Sequence, residues 1–188
     1  MKALKIIIGL LKLIVLVIVL LFAANYFLSD KVNDYTYPIR YKEYVDKYSR
    51  QYNVDRALIY AIIKNESDFN PYAESNAQAK GLMQIMDTSY EFAKKSIVLN
   101  NDDIFDKKTN IQIGTWLLSH LTQRFGDIRY AVMAYNAGPE NVASWINSGY
   151  LPQDANYSTW NIPFGETAIY LDKVMKTKEI YHKKLQYN

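Results

Sequence analysis

Leu58-Ile59-Tyr60-Ala61-Ile62-Ile63-Lys64-Asn65-Glu66-Ser67, followed after a polar connection by Gly81-Leu82-Met83-Gln84 (GLMQ), is the stretch that decides the fold. Leu58, Ile59, Ile62 and Ile63 recur on one face of a 3.6-residue period, so the spacing predicts a buried helix running toward Glu66. Pro71 prevents it from continuing far. The outcome is a single acid at a rigid helix end. Further on, Ala134-Tyr135-Asn136-Ala137-Gly138 (AYNAG) adds small and amide side chains that such an acid could face.

The flanking sequence reads as more helices joined by short polar turns. Tyr44, Val45, Tyr48 and Tyr52 fall on one face of a helix over Tyr41–Tyr52, and Asn53 is suited to cap the helix that follows. Asp87 or Thr88 can start a helix holding Tyr90, Phe92 and Ala93. Lys107–Phe125 supplies another, with Ile111, Trp116, Leu117 and Leu121, ended by Gly126. A short buried helix is expected over Ile128–Tyr135. Pro139 fits the first turn of the next, which Gly149 stops. A polar and aromatic loop over Tyr150–Pro163 leads to a last helix from about Phe164 to Tyr181. No segment alternates apolar and polar residues between hairpin turns, so strands are not expected. The fold class is mainly α. Of the aromatics, Trp116 is expected in the core, and Trp145 and Trp160 at the surface or cleft.

The first residues differ in kind. From Ile6 to Ala24 the chain is almost wholly Ile, Leu, Val, Phe and Ala, interrupted by Gly9 and Lys12 and preceded by Lys2 and Lys5. A hydrocarbon core takes about 20 apolar residues as helix, so a transmembrane anchor over 1–29 is expected, with the lysines on the cytoplasmic side and Lys12 snorkelling toward the headgroups. A cleaved secretory signal is the alternative, but Phe22-Ala23-Ala24 offers a poor cleavage site because Phe stands three positions before the cut. Both readings export the domain expected over 30–188 to the cell-wall side of the membrane.

Three of the 22 Lys and Arg lie in that anchor and none of the 19 Asp and Glu do, so the remainder is formally neutral. A nucleic-acid partner is therefore not expected, since neutralising phosphates needs a basic face. The chain has no cysteine, which excludes disulfides and thiolate chemistry. His120 and His182 are its two histidines, far apart, so neither a metal site nor a Ser-His triad is expected. His120 reads as a partly buried, satisfied side chain. Glu66 follows Ile62 and Ile63 by one turn, and an apolar setting raises a glutamic acid above its usual pKa of about 4.3. Protonated near neutrality, it would be a general acid; exposed to water, it would be an ordinary helix-end residue.

From Tyr37 onward the chain closely resembles the lytic transglycosylase domains of the soluble-lytic-transglycosylase (SLT) family, within the lysozyme-like superfamily. The resemblance runs through Tyr52, Asn53, Val54, Asp55, Leu58, Ala61, Ile62, Glu66, Ser67, Phe69, Asn70 and Pro71, then Ser75, Ala79, GLMQ and Met86. It resumes at Asn110, Ile111, Gly114, Leu117 and Arg124-Phe125-Gly126, passes AYNAGP (Ala134–Pro139), and closes with Ile162, Pro163, Phe164, Glu166, Thr167, Tyr170, Lys173 and Val174. It implies a lysozyme-like helical fold and peptidoglycan glycan strands as substrate.

The resemblance also implies roles. Glu66 would be the sole catalytic carboxylate, protonating the oxygen between N-acetylmuramic acid and N-acetylglucosamine and then taking the proton of the muramoyl C6 hydroxyl, to give a 1,6-anhydro product. Ser75 would hydrogen-bond and orient Glu66. Substrate contacts would come from Gly81, Leu82, Met83, Gln84, Ala134, Tyr135, Asn136, Glu166 and Tyr170: Gly81 by letting backbone approach sugar, Met83 as an apolar wall, Gln84 through its amide. No cofactor or metal is called for. Asp68 and Glu74 fall on no catalytic position, and Asp68 reads as a solvated residue after the helix. Gln78, Glu140 and Ala168 depart from the family pattern, where glycine, glycine and arginine are common, which bears on cleft width and peptide-stem preference. A hydrolytic muramidase and a non-catalytic wall-binding protein remain as alternatives.

Overall fold

The computed structural model describes residues 2–151 and 162–186, with side-chain placement in the first helix limited to Gly9, Leu11–Ala24 and Asp34 onward. The chain divides into two units, Met1–Ile39 and Arg40–Asn188. The first is one helix, α1 (Lys2–Thr36). It outruns the anticipated anchor because nothing between Ser29 and Thr36 breaks a helix, and it stops short of Pro38, whose ring disfavours helical backbone at the residue before it. Its apolar side chains are open, from Leu11 at 57% exposure to Phe22 at 74%. The anticipated membrane span is not met as such: among the described residues no helix is long and apolar enough to cross a membrane. In the sequence, Lys12 and Gly9 interrupt the apolar run Ile6–Ala24.

The second unit is a helical domain of α2 (Lys42–Tyr52), α3 (Arg56–Ser67), α4 (Asp87–Ser96), α5 (Lys107–Phe125), α6 (Ile128–Ala137), α7 (Pro139–Asn147) and α8 (Gly165–Gln186). Among the described residues, β pairing is confined to isolated bridges, Glu74 to Lys80 and Lys80 to Ile85. At the centre is α3, whose residues Ala57 to Ile63 are all buried. Each fully buried Leu or Ile there stabilises the fold by about 1.5–3 kcal/mol relative to exposure. Its main neighbour is α8, and α5 packs on α2 and α6. Tyr60 of α3 stacks on Tyr181 of α8 with ring centroids 5.1 Å apart, and Phe69 closes the same aromatic cluster.

Helix ends follow local chemistry. Asp55, not Asn53, is the N-cap of α3, its carboxylate accepting from the Ala57 N–H at 2.9 Å. Asn53 adopts left-handed backbone and ends α2 instead. Asp106 caps α5 through the Thr109 N–H, and Gly126, at φ 69°, ends it. α6 extends two residues beyond the expected boundary, to Ala137, and α8 continues past Tyr181 to Gln186. Ser148 caps α7, one residue before Gly149.

Three aromatic placements differ from expectation. Trp145 is buried, edge-on to Phe164 at 5.0 Å. Trp116 is half-buried, and His120 beside it is exposed. Both belong to a surface cluster with Phe92, because this turn of α5 faces α4 across a groove instead of entering the core. Trp160 and most of the Tyr150–Pro163 loop lie outside the described residues.

Candidate active site

Glu66 occupies the last turn of α3, one residue before its end. The buried run below it removes water from the carboxyl, and burial pushes its pKa up from 4.5 to about 7, opposed by a hydrogen bond from Tyr170. The Tyr170 hydroxyl, on α8, donates to Glu66 Oε1 at 2.5 Å. The close packing of α8 on α3 is what brings residues so distant in sequence together. Tyr135 of α6 also feels the Glu66 charge: burial first, then Glu66, raise its hydroxyl well above the usual tyrosine range. The same causes act on Tyr170. Among the described residues, no charged side chain is a cause of the Glu66 shift. It is therefore an acid held half-protonated near neutrality by desolvation, with one phenol to orient it.

The connection from α3 to α4 folds back on the helix end. It holds four non-glycine residues in left-handed backbone, Asp68, Phe69, Gln78 and Gln84. Such conformations are costly for residues with a Cβ and gather at functional sites. Ser67 ties the connection to the helix, its hydroxyl donating to Leu82 O at 2.8 Å. Asn110 of α5 anchors it from the other side: the side-chain oxygen accepts from Met83 N–H at 2.8 Å, and the amide donates to Lys80 O and Ile104 O. Tyr135 completes the frame by donating to Met83 O at 2.7 Å.

Several sequence expectations change against this geometry. Gly81, at φ +76°, is needed for Asn110, since a Cβ would lie 2.4 Å from its Nδ2. It makes room for a scaffold bond instead of sugar. Leu82 and Met83 are fully buried. Met83 is core, seated where Gly114 of α5 leaves space for its sulfur. The Gln84 amide is committed to Ala73 O and Gly81 O. Ser75 does not meet Glu66 as its hydroxyl partner; it accepts from Ala79 N–H and closes an exposed turn. That leaves Tyr170 as the hydroxyl on the acid. Asp68 is solvent-exposed beyond the helix, paired with Lys64 at 2.5 Å. Glu166 is exposed in the first turn of α8. Asn136 is exposed and accepts from Thr167 at 2.8 Å.

Ala134, Tyr135 and Asn136 line a groove of about 630 Å³. Its walls are Ala77 and Met86 of the connection, Thr88, Ser89 and Phe92 of α4, Leu117, His120, Leu121 and Arg124 of α5, and the α6–α7 turn from Ala137 to Pro139. Tyr135, whose hydroxyl feels the Glu66 charge, is thus also part of the groove wall. Among the described residues no cluster of His, Asp and Glu is arranged to hold a metal ion.

Residues 43–158 match the Transglycosylase SLT domain family. The chain belongs to this family. Among SLT relatives, it is 33% identical over 150 residues to the soluble lytic murein transglycosylase of Salmonella typhimurium, covering 77% of this chain and 23% of that protein. It is 36% identical over 169 residues to membrane-bound lytic murein transglycosylase C of Sodalis glossinidius, covering 77% of this chain and 47% of that one. The 70-kDa soluble lytic transglycosylase of Escherichia coli superposes with a TM-score of 0.74 at 30% identity, over 81% of this chain and 26% of that chain. An inactive glutamate-to-glutamine mutant of the Pseudomonas aeruginosa enzyme gives 0.73 at 30% identity, over 81% of this chain and 25% of that one. The SLT fold is thus lysozyme-like, and this chain spans a quarter to a half of the length of these relatives.

Asn110, Ser67 and Thr167 carry structural roles that the sequence did not assign. All three lie at positions that the SLT resemblance includes. For Asn110, a polar residue amid the apolar face of a long helix is the signal that points to a buried hydrogen-bonding task.

Proposed function

We propose that the chain is a peptidoglycan lytic transglycosylase in which Glu66 is the catalytic residue, acting first as acid and then as base. The observation that carries this is a desolvated carboxyl, poised near neutrality at about 7, bonded to Tyr170 and, among the described residues, without a charged companion. In the first step Glu66 gives its proton to the glycosidic oxygen as the bond from the muramoyl C1 to that oxygen breaks. In the second, ionised Glu66 takes the C6 hydroxyl proton while O6 bonds to C1. The N-acetylglucosamine end leaves as an alcohol, the muramoyl end becomes a 1,6-anhydro ring, and Glu66 is again protonated. No water enters. A pKa near working pH suits a group that must do both. The murein relatives, and the inactive glutamine mutant among them, support the same reading.

A glycosidase that hydrolyses through a second carboxylate needs that partner within about 5–10 Å of the acid. Among the described residues, no carboxylate is a cause of the Glu66 shift. Around the acid, Tyr170 orients its carboxyl, Tyr135 and Asn136 contact substrate with Ala134 at the groove wall, and GLMQ with Ser75 shapes the backbone beneath.

We assign α1 to a membrane. Large apolar side chains from Leu11 to Leu21 are 46–64% exposed around the helix, a surface suited to lipid rather than water. The membrane-bound relative supports this assignment. The domain would then work on wall beside the membrane, on its outer side.

Digestion of purified peptidoglycan by the full chain in detergent tests the activity. The expected products are muropeptides with 1,6-anhydro ends, one water lighter than hydrolytic products, absent with Glu66→Gln. Reducing ends would instead mark a muramidase. Unchanged wall release by Glu66→Gln would mark a non-catalytic role.

A further inference from the structure

Beside the groove that Tyr135 lines, three rings form a cluster: Phe92 of α4 with Trp116 and His120 of α5. Phe92 and Trp116 are 5.0 Å apart and tilted, Phe92 and His120 meet edge-on at 5.3 Å, and Trp116 and His120 stack at 5.7 Å. These rings are not core. Phe92 is 43% exposed, Trp116 is half-buried and His120 is exposed. Phe92 and His120 belong to the wall of the groove that Tyr135 and Asn136 also line.

His120 also belongs to a second concavity of about 410 Å³, with Trp116 and the polar side chains of Gln51, Asn53, Ser119 and Gln123. The two hollows therefore meet at one side chain. A linear polymer lying in the groove by Tyr135 would pass over His120 into the second hollow.

We propose that the Phe92–Trp116–His120 cluster, with Gln51 and Gln123, is a distal binding site for saccharide units of the same glycan strand, remote from the bond that is cut. This rests on the proposed activity for the identity of the polymer. Its chemistry is carried by the lining. Flat rings present apolar faces of the size of a pyranose ring, and side-chain amides supply both donors and acceptors for hydroxyl and acetamido groups. Concave sites with aromatic walls and few polar groups are the general pattern of small-molecule recognition.

The lining also discriminates between the two parts of peptidoglycan. Among the described residues, the wall of the second hollow has no Lys, Arg, Asp or Glu. Arg124, at the groove side, is already paired with Glu140 at 2.8 Å. A stem peptide carries carboxylates and an amine that need opposite charges, whereas sugar rings are neutral and match an uncharged wall.

The test is binding of neutral β-1,4-linked N-acetylglucosamine hexamer to the full-length Glu66→Gln chain in detergent, followed by calorimetry and by Trp fluorescence. Adding His120→Ala or Gln51→Ala is expected to weaken the hexamer about tenfold with the melting temperature held, and His120→Tyr to restore it. Equal affinity in all variants would overturn the site. So would displacement of the hexamer by free stem peptide. The activity reading is judged separately, by digestion with the wild-type chain. Wall lysis with His120-independent hexamer binding sinks the distal site alone; His120-dependent binding without lysis sinks the activity and leaves a saccharide site.

Discussion

At the level of single residues, Glu66 joins function to stability. Its carboxyl is raised from 4.5 to about 7 in the fold, by burial and against the Tyr170 hydrogen bond. A raised acid binds more protons folded than unfolded between those values. Its contribution is therefore fully present below about pH 4.5 and lost as pH rises through about 7. At pH 8 the ionised, desolvated group costs about 3 kcal/mol, at 1.36 kcal/mol per pKa unit. Glu66→Gln removes that charge, so it is expected to melt higher than wild type at pH 8, with the gap closing toward pH 4.5. Paired thermal melts at the two pH values check this; an equal gap at both would contradict a desolvated acid. The Tyr170 bond favours the ionised form, so Tyr170→Phe should raise the Glu66 pKa and move the alkaline limb of kcat/KM upward, readable in a pH profile of turbidity loss. Glu66 was legible because helix end, apolar neighbours and motif coincide in sequence. Ser75 and Gln84 were misread because their polar atoms are claimed by backbone groups whose positions exist only after the connection folds.

Between elements, small residues set how the connection from α3 to α4 meets α5. Gly114 faces Met83, and a Cβ there would lie 2.4 Å from the sulfur. Gly114→Ala should destabilise by about 1–3 kcal/mol, the usual range for overpacking. Because the clash is with one flexible side chain, Met83→Ala should recover part of that loss, so the two changes combine non-additively in a denaturation double-mutant cycle. Additive losses would mean that Gly114 serves the helix itself. Gln78 stands in left-handed backbone at φ 65° and is exposed. A glycine would adopt this angle without a Cβ penalty. Gln78→Gly should stabilise by roughly 1 kcal/mol by relieving the Cβ strain, measured by chemical denaturation. Helix identity and order were readable from period and caps throughout the domain. The error at α3's start has a physical origin: Asn53 and Asp55 are both good caps, but Asn tolerates left-handed backbone and takes the end of α2, leaving Asp55 to accept the Ala57 N–H.

At the scale of the whole chain, the two units obey different solvents. The domain from Arg40 hides its large side chains, with Leu58, Ile59, Ile62 and Ile63 at 0–1% exposure, whereas α1 leaves Leu11 to Phe22 open. An aqueous protein that exposed such a surface would associate through it, because each Å² of apolar area kept from water is worth roughly 25 cal/mol. The full chain should therefore partition into detergent micelles or vesicles and stay there in 1 M salt, since screening at a Debye length of about 3 Å abolishes charge attachment but leaves apolar burial intact. A chain starting at Arg40 should remain in the aqueous phase. Its melting temperature should equal that of the full chain, because its core is complete within its own residues. Flotation of liposomes with both chains, at low and high salt, measures this directly. Release of the full chain by salt would make Lys2, Lys5 and Lys12 the attachment and remove α1 from the lipid.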